Sequence, residues 1–201
     1  MGKTVATKNF RRLGVPVHDA DGIVHELLAP GGEGVEAVRA EFPGVVSDSS
    51  IDRAKIADVV FDDTKALTRL EAILHPMVRY HERRFLAAMA RRRERLVVLD
   101  VPLLFETGGE RRCDGVVTVS APPFVQAARV LKRPGMTKER LVAILARQVP
   151  DAEKRCRADF VVRTGLGQSE SLRAICKIVT LVRTWRGRSW PVRSKHSRSK
   201  L

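Results

Sequence analysis

Gly2-Lys3-Thr4 supplies the last three residues of the phosphate-binding pattern G-x-x-x-x-G-K-[ST], in which a glycine loop runs from a buried strand into a helix. In such a loop the lysine reaches the β- and γ-phosphates of a nucleotide and the hydroxyl binds magnesium. The helix start turns its positive end toward the phosphates. Met1 takes the last variable position of the pattern. The first glycine, the rest of the loop and its strand, about ten residues, would then stand ahead of the sequence. The absent N–H groups would contribute about 1.5–3 kcal/mol per bond to phosphate, and a lost central strand leaves its neighbours unpaired. A chain without them is expected to be poorly stable and nearly inactive, and its gene to have an earlier start codon. Alone, the short match is also what a solvated amino terminus looks like.

Four acidic or basic groupings could work with that loop. Asp19-Ala20-Asp21 follows the short apolar stretch Val15-Pro16-Val17, and ligands of open α/β sheets bind beyond the carboxyl ends of strands. One aspartate is expected to cap the next helix, leaving Asp21 to take the proton of an attacking hydroxyl. Asp100 ends the apolar run Leu96-Val97-Val98-Leu99, the place of an acid that helps hold magnesium; a cap or turn is its bland alternative. The following Val101-Pro102-Leu103-Leu104-Phe105-Glu106 is too apolar for an ordinary exposed loop and is expected to pack under a ligand. His75-Pro76-Met77-Val78-Arg79 puts an arginine one turn into a helix whose first position would be Pro76. Such an arginine can grip phosphate bidentately, although on a helix it is more often solvated. Arg133 and Arg147 flank a short basic helical segment and have the same two readings.

Positioning these groups falls to alternating elements. Strands are expected at 15–19, 96–100, 116–119 and 160–162, the later three as β-branched runs buried on both faces. Helices are expected at 3–13, 22–29, 34–41, 52–60, 64–74, 77–93, 123–132, 137–147 and 169–182. The last carries Leu172, Ile175, Ile178, Val179 and Val182 on one stripe. Gly14 should close the first helix. Alternation of this kind implies a parallel, three-layer α/β architecture, of about five strands with the absent first one. Residues 22–93, helices without a strand, read as an insertion, and 133–150 as a lid.

The chain has 201 residues, 44% apolar and 30% charged, which suits a soluble protein with one core domain and insertions. Neither a membrane span nor a signal peptide is apparent. Cys113, Cys156 and Cys176 form no paired motif and read as reduced thiols of a cytoplasmic protein. The net charge is +14, but seven basic residues and no acid lie between Arg183 and Leu201, leaving +7 for the body. That Ser- and Arg-rich tail is expected to be a disordered, solvated extension, and a body of +7 suits polyanionic substrates.

In their order and spacing, Gly2-Lys3-Thr4, Leu13 through Asp21, His75 through Arg79 and Asp100 through Glu106 resemble the dephospho-CoA kinase family. Arg133-Pro134-Gly135-Met136-Thr137, Arg147-Gln148 and Ala158-Asp159-Phe160-Val161 extend the resemblance over residues 1 to about 182. It implies an α/β P-loop kinase fold and ATP-dependent phosphorylation of the ribose 3′-hydroxyl of dephospho-CoA, the last step of CoA synthesis. Asp21 would be the catalytic base, with Lys3 acting on the transferred group. Met1, Gly2, Lys3, Thr4, Arg133 and Arg147 would bind the nucleotide, His75, Arg79 and Glu106 the acceptor, and Thr4 and Asp100 magnesium. The nucleotide-binding core would comprise 1–21, 94–132 and 151–182, with 22–93 as coenzyme-binding insertion, 133–150 as lid and 183–201 as tail. ATP and dephospho-CoA are the implied partners, with no obligatory protein partner, no membrane and no nucleic acid. The sequence departs from the family at its start, at Val5 where a second hydroxyl residue usually stands, and at Arg163 where Asp or Asn is usual. Another small-molecule P-loop kinase, or an inactive relative binding nucleic acid through the tail, are the competing readings.

Overall fold

Each β-branched run of the sequence becomes a short strand, and each amphipathic stretch a helix, within two residues of expectation except where noted. The computed structural model describes residues 2–47, 50–132, 135–165 and 167–190. It divides into two compact units, one made of Met1–Val17 and Arg92–Leu201, the other of His18–Arg91.

The first unit is the α/β part. Helix α1 (Lys3–Arg12) is followed by β1 (Val17–Asp19), at whose threshold the Pro16 carbonyl accepts from the Val98 N–H at 2.9 Å. That bond ties the residue ahead of β1 to the start of β4 (Val98–Asp100). Strands β5 (Val117–Ser120) and β6 (Phe160–Arg163) run parallel, with Val117 beside Phe160 and Ser120 beside Arg163. Among the described residues the strands pair two by two, not as one continuous sheet. Between them lie α6 (Pro123–Leu131), α7 (Lys138–Ala146) and α8 (Asp151–Arg157), and α9 (Gln168–Val182) closes the unit. Ala6 and Phe10 of α1 and Ile175, Ile178 and Val179 of α9 bury their stripes together with Val162 of β6. Ile175 is fully buried, so truncating it to alanine would cost about 2–5 kcal/mol. Gly14 ends α1 as expected: at φ 73° it donates to the Arg11 carbonyl, and Val15 donates to Phe10, the paired bonds of a Schellman close.

Residues 183–190 are mostly exposed, as expected of the tail, but they are tied down rather than disordered. Trp185 stacks on Phe160 with ring centroids 5.6 Å apart, and the Trp190 indole N–H donates to the Glu94 carbonyl at 3.0 Å. The Asp114 carboxylate accepts from the main-chain N–H groups of Arg188, Ser189 and Trp190 at 2.6, 2.7 and 2.9 Å. Composition favoured disorder, but two tryptophans and a carboxylate collecting three amides hold this stretch as a strap. Residues 191–201 lie outside the described ones.

The second unit is helical: α2 (Ala20–Leu28), α3 (Val35–Glu41), α4 (Arg53–Asp62) and α5 (Thr64–Arg91). Leu27, Leu28, Val38, Phe42, Ile56, Leu70 and Leu74 belong to its core. It also contains two residue-pairs of strand, β2 (Val46–Ser47) and β3 (Ser50–Ile51), antiparallel to each other, where no strand was expected. The larger correction concerns α5, which is one helix of 28 residues rather than two, with Pro76 inside it rather than at a first position. Proline removes one helical N–H, but Pro76 and Ala72, whose carbonyl loses that donor, are both exposed. Water can satisfy the carbonyl while Leu70, Leu74 and Met89 keep the buried face continuous. No helix among the described residues is long and apolar enough to cross a membrane.

Candidate active site

The head of α1 is shaped by close approach. Gly2 caps the helix at φ 98°, and a Cβ there would sit 2.7 Å from the Thr164 side chain. Only glycine meets both conditions. The next residue, Lys3, reaches across to β4, where its Nζ lies 3.3 Å from Asp100 Oδ1. Asp100 is buried (8% exposed), whereas the Lys3 side chain is 37% exposed. The other carboxylate oxygen, Oδ2, accepts the hydroxyl of Thr7 at 2.6 Å. Asp100 therefore bonds to the phosphate-loop helix and is not merely a cap of its own turn. Thr4, at the helix start, is exposed.

One buried carboxylate and one exposed hydroxyl fit a magnesium ion that keeps water and substrate phosphate in its remaining positions. Both donors are hard oxygens, and Lys3 supplies the cation that balances Asp100 in this structure. Among the described residues no group of three His, Cys, Asp or Glu forms a cage for a metal.

Glu106 lies in the apolar loop that follows β4. Its Oε1 accepts from the Val149 N–H at 2.9 Å and from Lys154 Nζ at 2.7 Å, while Oε2 is buried without a hydrogen-bond partner. Burial alone would push its carboxyl up, but the Lys154 ammonium and main-chain donors outweigh it and hold it below the ordinary 4.5. Phe105 is buried beneath the guanidinium of Arg157, 4.6 Å from the ring centre. Arg147 ends α7 and is exposed. Met1 and Arg133 fall outside the described residues.

In the helical unit one aspartate takes the capping role that the sequence suggested. Asp19 caps α2, accepting from the Gly22 N–H at 3.1 Å. Asp21 lies in the first turn of that helix, exposed, where the helix dipole favours a negative charge. Beside them His18 is buried, with Nε2 unpartnered and its ring 5.4 Å from that of Phe85. Its pKa is lowered, first by burial and also by His81, against the pull of Glu82 and Asp19. His75 and Arg79 stand one turn apart on α5, both exposed. Lys3 and Asp100 are thus joined, and His75 and Arg79 share a helix face. Sequence reasoning missed Thr7, whose only signal was a threonine one turn after Lys3.

Comparison with known proteins gives these residues a context. The family model for dephospho-CoA kinase matches residues 1–168. The dephospho-CoA kinase of Rhodospirillum rubrum is 53% identical over 191 residues, 92% of this chain and 90% of that protein. That of Paramagnetospirillum magneticum is 63% identical over 155 residues, 77% of this chain and 73% of its own length. Among solved structures, TT1252 from Thermus thermophilus superposes with a TM-score of 0.74 at 34% identity, covering 90% of this chain and 91% of that one. Dephospho-CoA kinase from Campylobacter jejuni, at 22% identity and a TM-score of 0.65, covers 90% of this chain and 92% of its own and shares the fold. With such identity sustained along most of both lengths, the chain belongs to the dephospho-CoA kinase family.

Proposed function

We propose that this chain transfers the γ-phosphoryl group of ATP to the ribose 3′-hydroxyl of dephospho-CoA, releasing CoA and ADP. The observation that carries the reading is the contact of Lys3 with Asp100 at the head of the phosphate-loop helix, in a chain of this family. Phosphoryl transfer asks a protein mainly for alignment and charge. Lys3 moves from Asp100 to the β- and γ-phosphate oxygens, and the start of α1 adds its dipole. Thr4 and Asp100 are the residues that would hold magnesium, which when bound neutralises phosphate charge. Asp21 orients the acceptor hydroxyl and takes its proton as the new O–P bond forms and the bond to the leaving ADP breaks.

His75 and Arg79 bind the acceptor from the exposed face of α5, in an insertion spanning 22–93. Arg133 and Arg147 belong to a lid, 133–150, that closes on the nucleotide and keeps water from the reacting phosphate. Glu106 serves the acceptor side by fixing the loop after β4 to Val149 and Lys154. Gly2 and Met1 complete the nucleotide contacts. The core, 1–21, 94–132 and 151–182, works in the cytoplasm on small molecules, without an obligatory protein, membrane or nucleic-acid partner.

Release of ADP coupled to formation of CoA tests the proposal directly. Turnover with dephospho-CoA, weak in this chain and strong in one extended upstream by a strand and glycine loop, lost on removing magnesium and lowered about 10²–10⁴-fold in kcat by Asp21→Asn, is the expected result. Turnover of a nucleoside or shikimate in place of dephospho-CoA would overturn it.

A further inference from the structure

Thr7 is the unassigned residue that the geometry ties most closely to the reacting groups. Threonines inside helices often turn their hydroxyl back to the preceding turn, and Thr7 does lie 3.0 Å from the Lys3 carbonyl. A hydroxyl has one proton, however, and the 2.6 Å contact to Asp100 Oδ2 is the shorter and the charge-assisted one. It joins residues 93 positions apart in the sequence, and both partners are buried, Thr7 at 5% and Asp100 at 8% exposure.

The two donors on Asp100 differ in mobility. Lys3 has a long, partly exposed stem. Thr7 has a short β-branched side chain with a restricted χ1, on a helix whose Ala6 and Phe10 are locked into the core. We infer that Thr7 is a positioning residue for the phosphoryl-transfer site: its hydroxyl keeps Asp100 anchored and aimed when Lys3 leaves it for phosphate. The inference rests on the reading of Lys3 and Asp100 given above. Without that hydroxyl, the carboxylate can follow the departing ammonium, and its oxygen is lost to the metal side of the nucleotide.

Equilibrium binding of a fluorescent ATP analogue to the full chain, with and without magnesium, separates this role from a packing role. Thr7→Val keeps shape and removes the donor. It is expected to change metal-free affinity by less than about twofold and to reduce the magnesium-induced tightening about tenfold, the loss of one charge-assisted bond. In turnover, the KM for ATP with magnesium rises more than kcat falls, and Thr7→Ser restores both readouts. A Thr7→Val protein that melts earlier yet keeps the magnesium effect would overturn the inference, as would a Thr7→Ser protein as impaired as Thr7→Val. Should Thr7→Val not fold, Thr7→Cys replaces it, a weak donor of similar size, and an unchanged magnesium effect there is equally fatal. If the unaltered protein shows no magnesium effect, the reading of Asp100 falls, and this one with it.

Discussion

At the end of β4, Asp100 is bonded by two side chains of a neighbouring helix, Lys3 and Thr7. Just before β5, Asp114 is bonded by three main-chain N–H groups of the strap, from Arg188, Ser189 and Trp190. Both carboxylates are well supplied with donors, yet they are suited to opposite tasks. Main-chain donors are fixed by the fold, so Asp114 has nothing to exchange and acts as a fastening. A lysine on a flexible stem can turn to another anion without any backbone movement, so Asp100 can pass its partner to a phosphate. On the proposed reading, the mobility of the donor, more than the number of bonds, distinguishes the two carboxylates.

The sharpest test of that contrast is Lys3→Met. Removal of a charge stabiliser at the transferred phosphate is expected to lower kcat/KM for ATP by about 10²–10³, while the urea midpoint shifts little because Thr7 still holds Asp100. A protein that unfolds and yet turns over normally when folded would break the contrast. Asp114→Ala should do the reverse. It is expected to remove about 1–3 kcal/mol of stability, seen as a lower urea midpoint, with kcat/KM unchanged wherever the protein remains folded.

Glu106 offers the smallest and most graded effect. Its carboxyl is held below 4.5, so its stabilising contribution is full above that value and is lost as pH falls through the lower, folded value. Melting temperatures of the unaltered protein and of Glu106→Gln should therefore differ most near neutrality and converge in acid. Curves that stay parallel throughout would show that the Lys154 contact adds nothing.

Much of this was legible in the sequence for physical reasons. Strands favour β-branched runs, and 96–100, 116–119 and 160–162 supplied them, although β6 is not buried on both faces as expected but buries Val162 and exposes Val161; Gly14 and Asp19 are a closing and an opening signal that act locally. Lys3 and Asp100 were readable from motif and position. What local patterns do not encode was missed. The seven residues of α8, Asp-Ala-Glu-Lys-Arg-Cys-Arg, have no apolar period to reveal a helix. Pro76 looked like a start because its tolerance depends on which face of α5 meets water. Thr7 and the strap both depend on partners distant in sequence, Asp100 and Asp114, which no window along the chain contains.

The strap has a spectroscopic corollary. The protein contains two tryptophans, and they are Trp185 on Phe160 and Trp190 on the Glu94 carbonyl. Its tryptophan emission therefore originates wholly in this one segment. A red shift on warming or in mild denaturant reports the peeling of a few residues, and a melting curve followed by fluorescence traces that event, which far-ultraviolet circular dichroism of the helices would scarcely register.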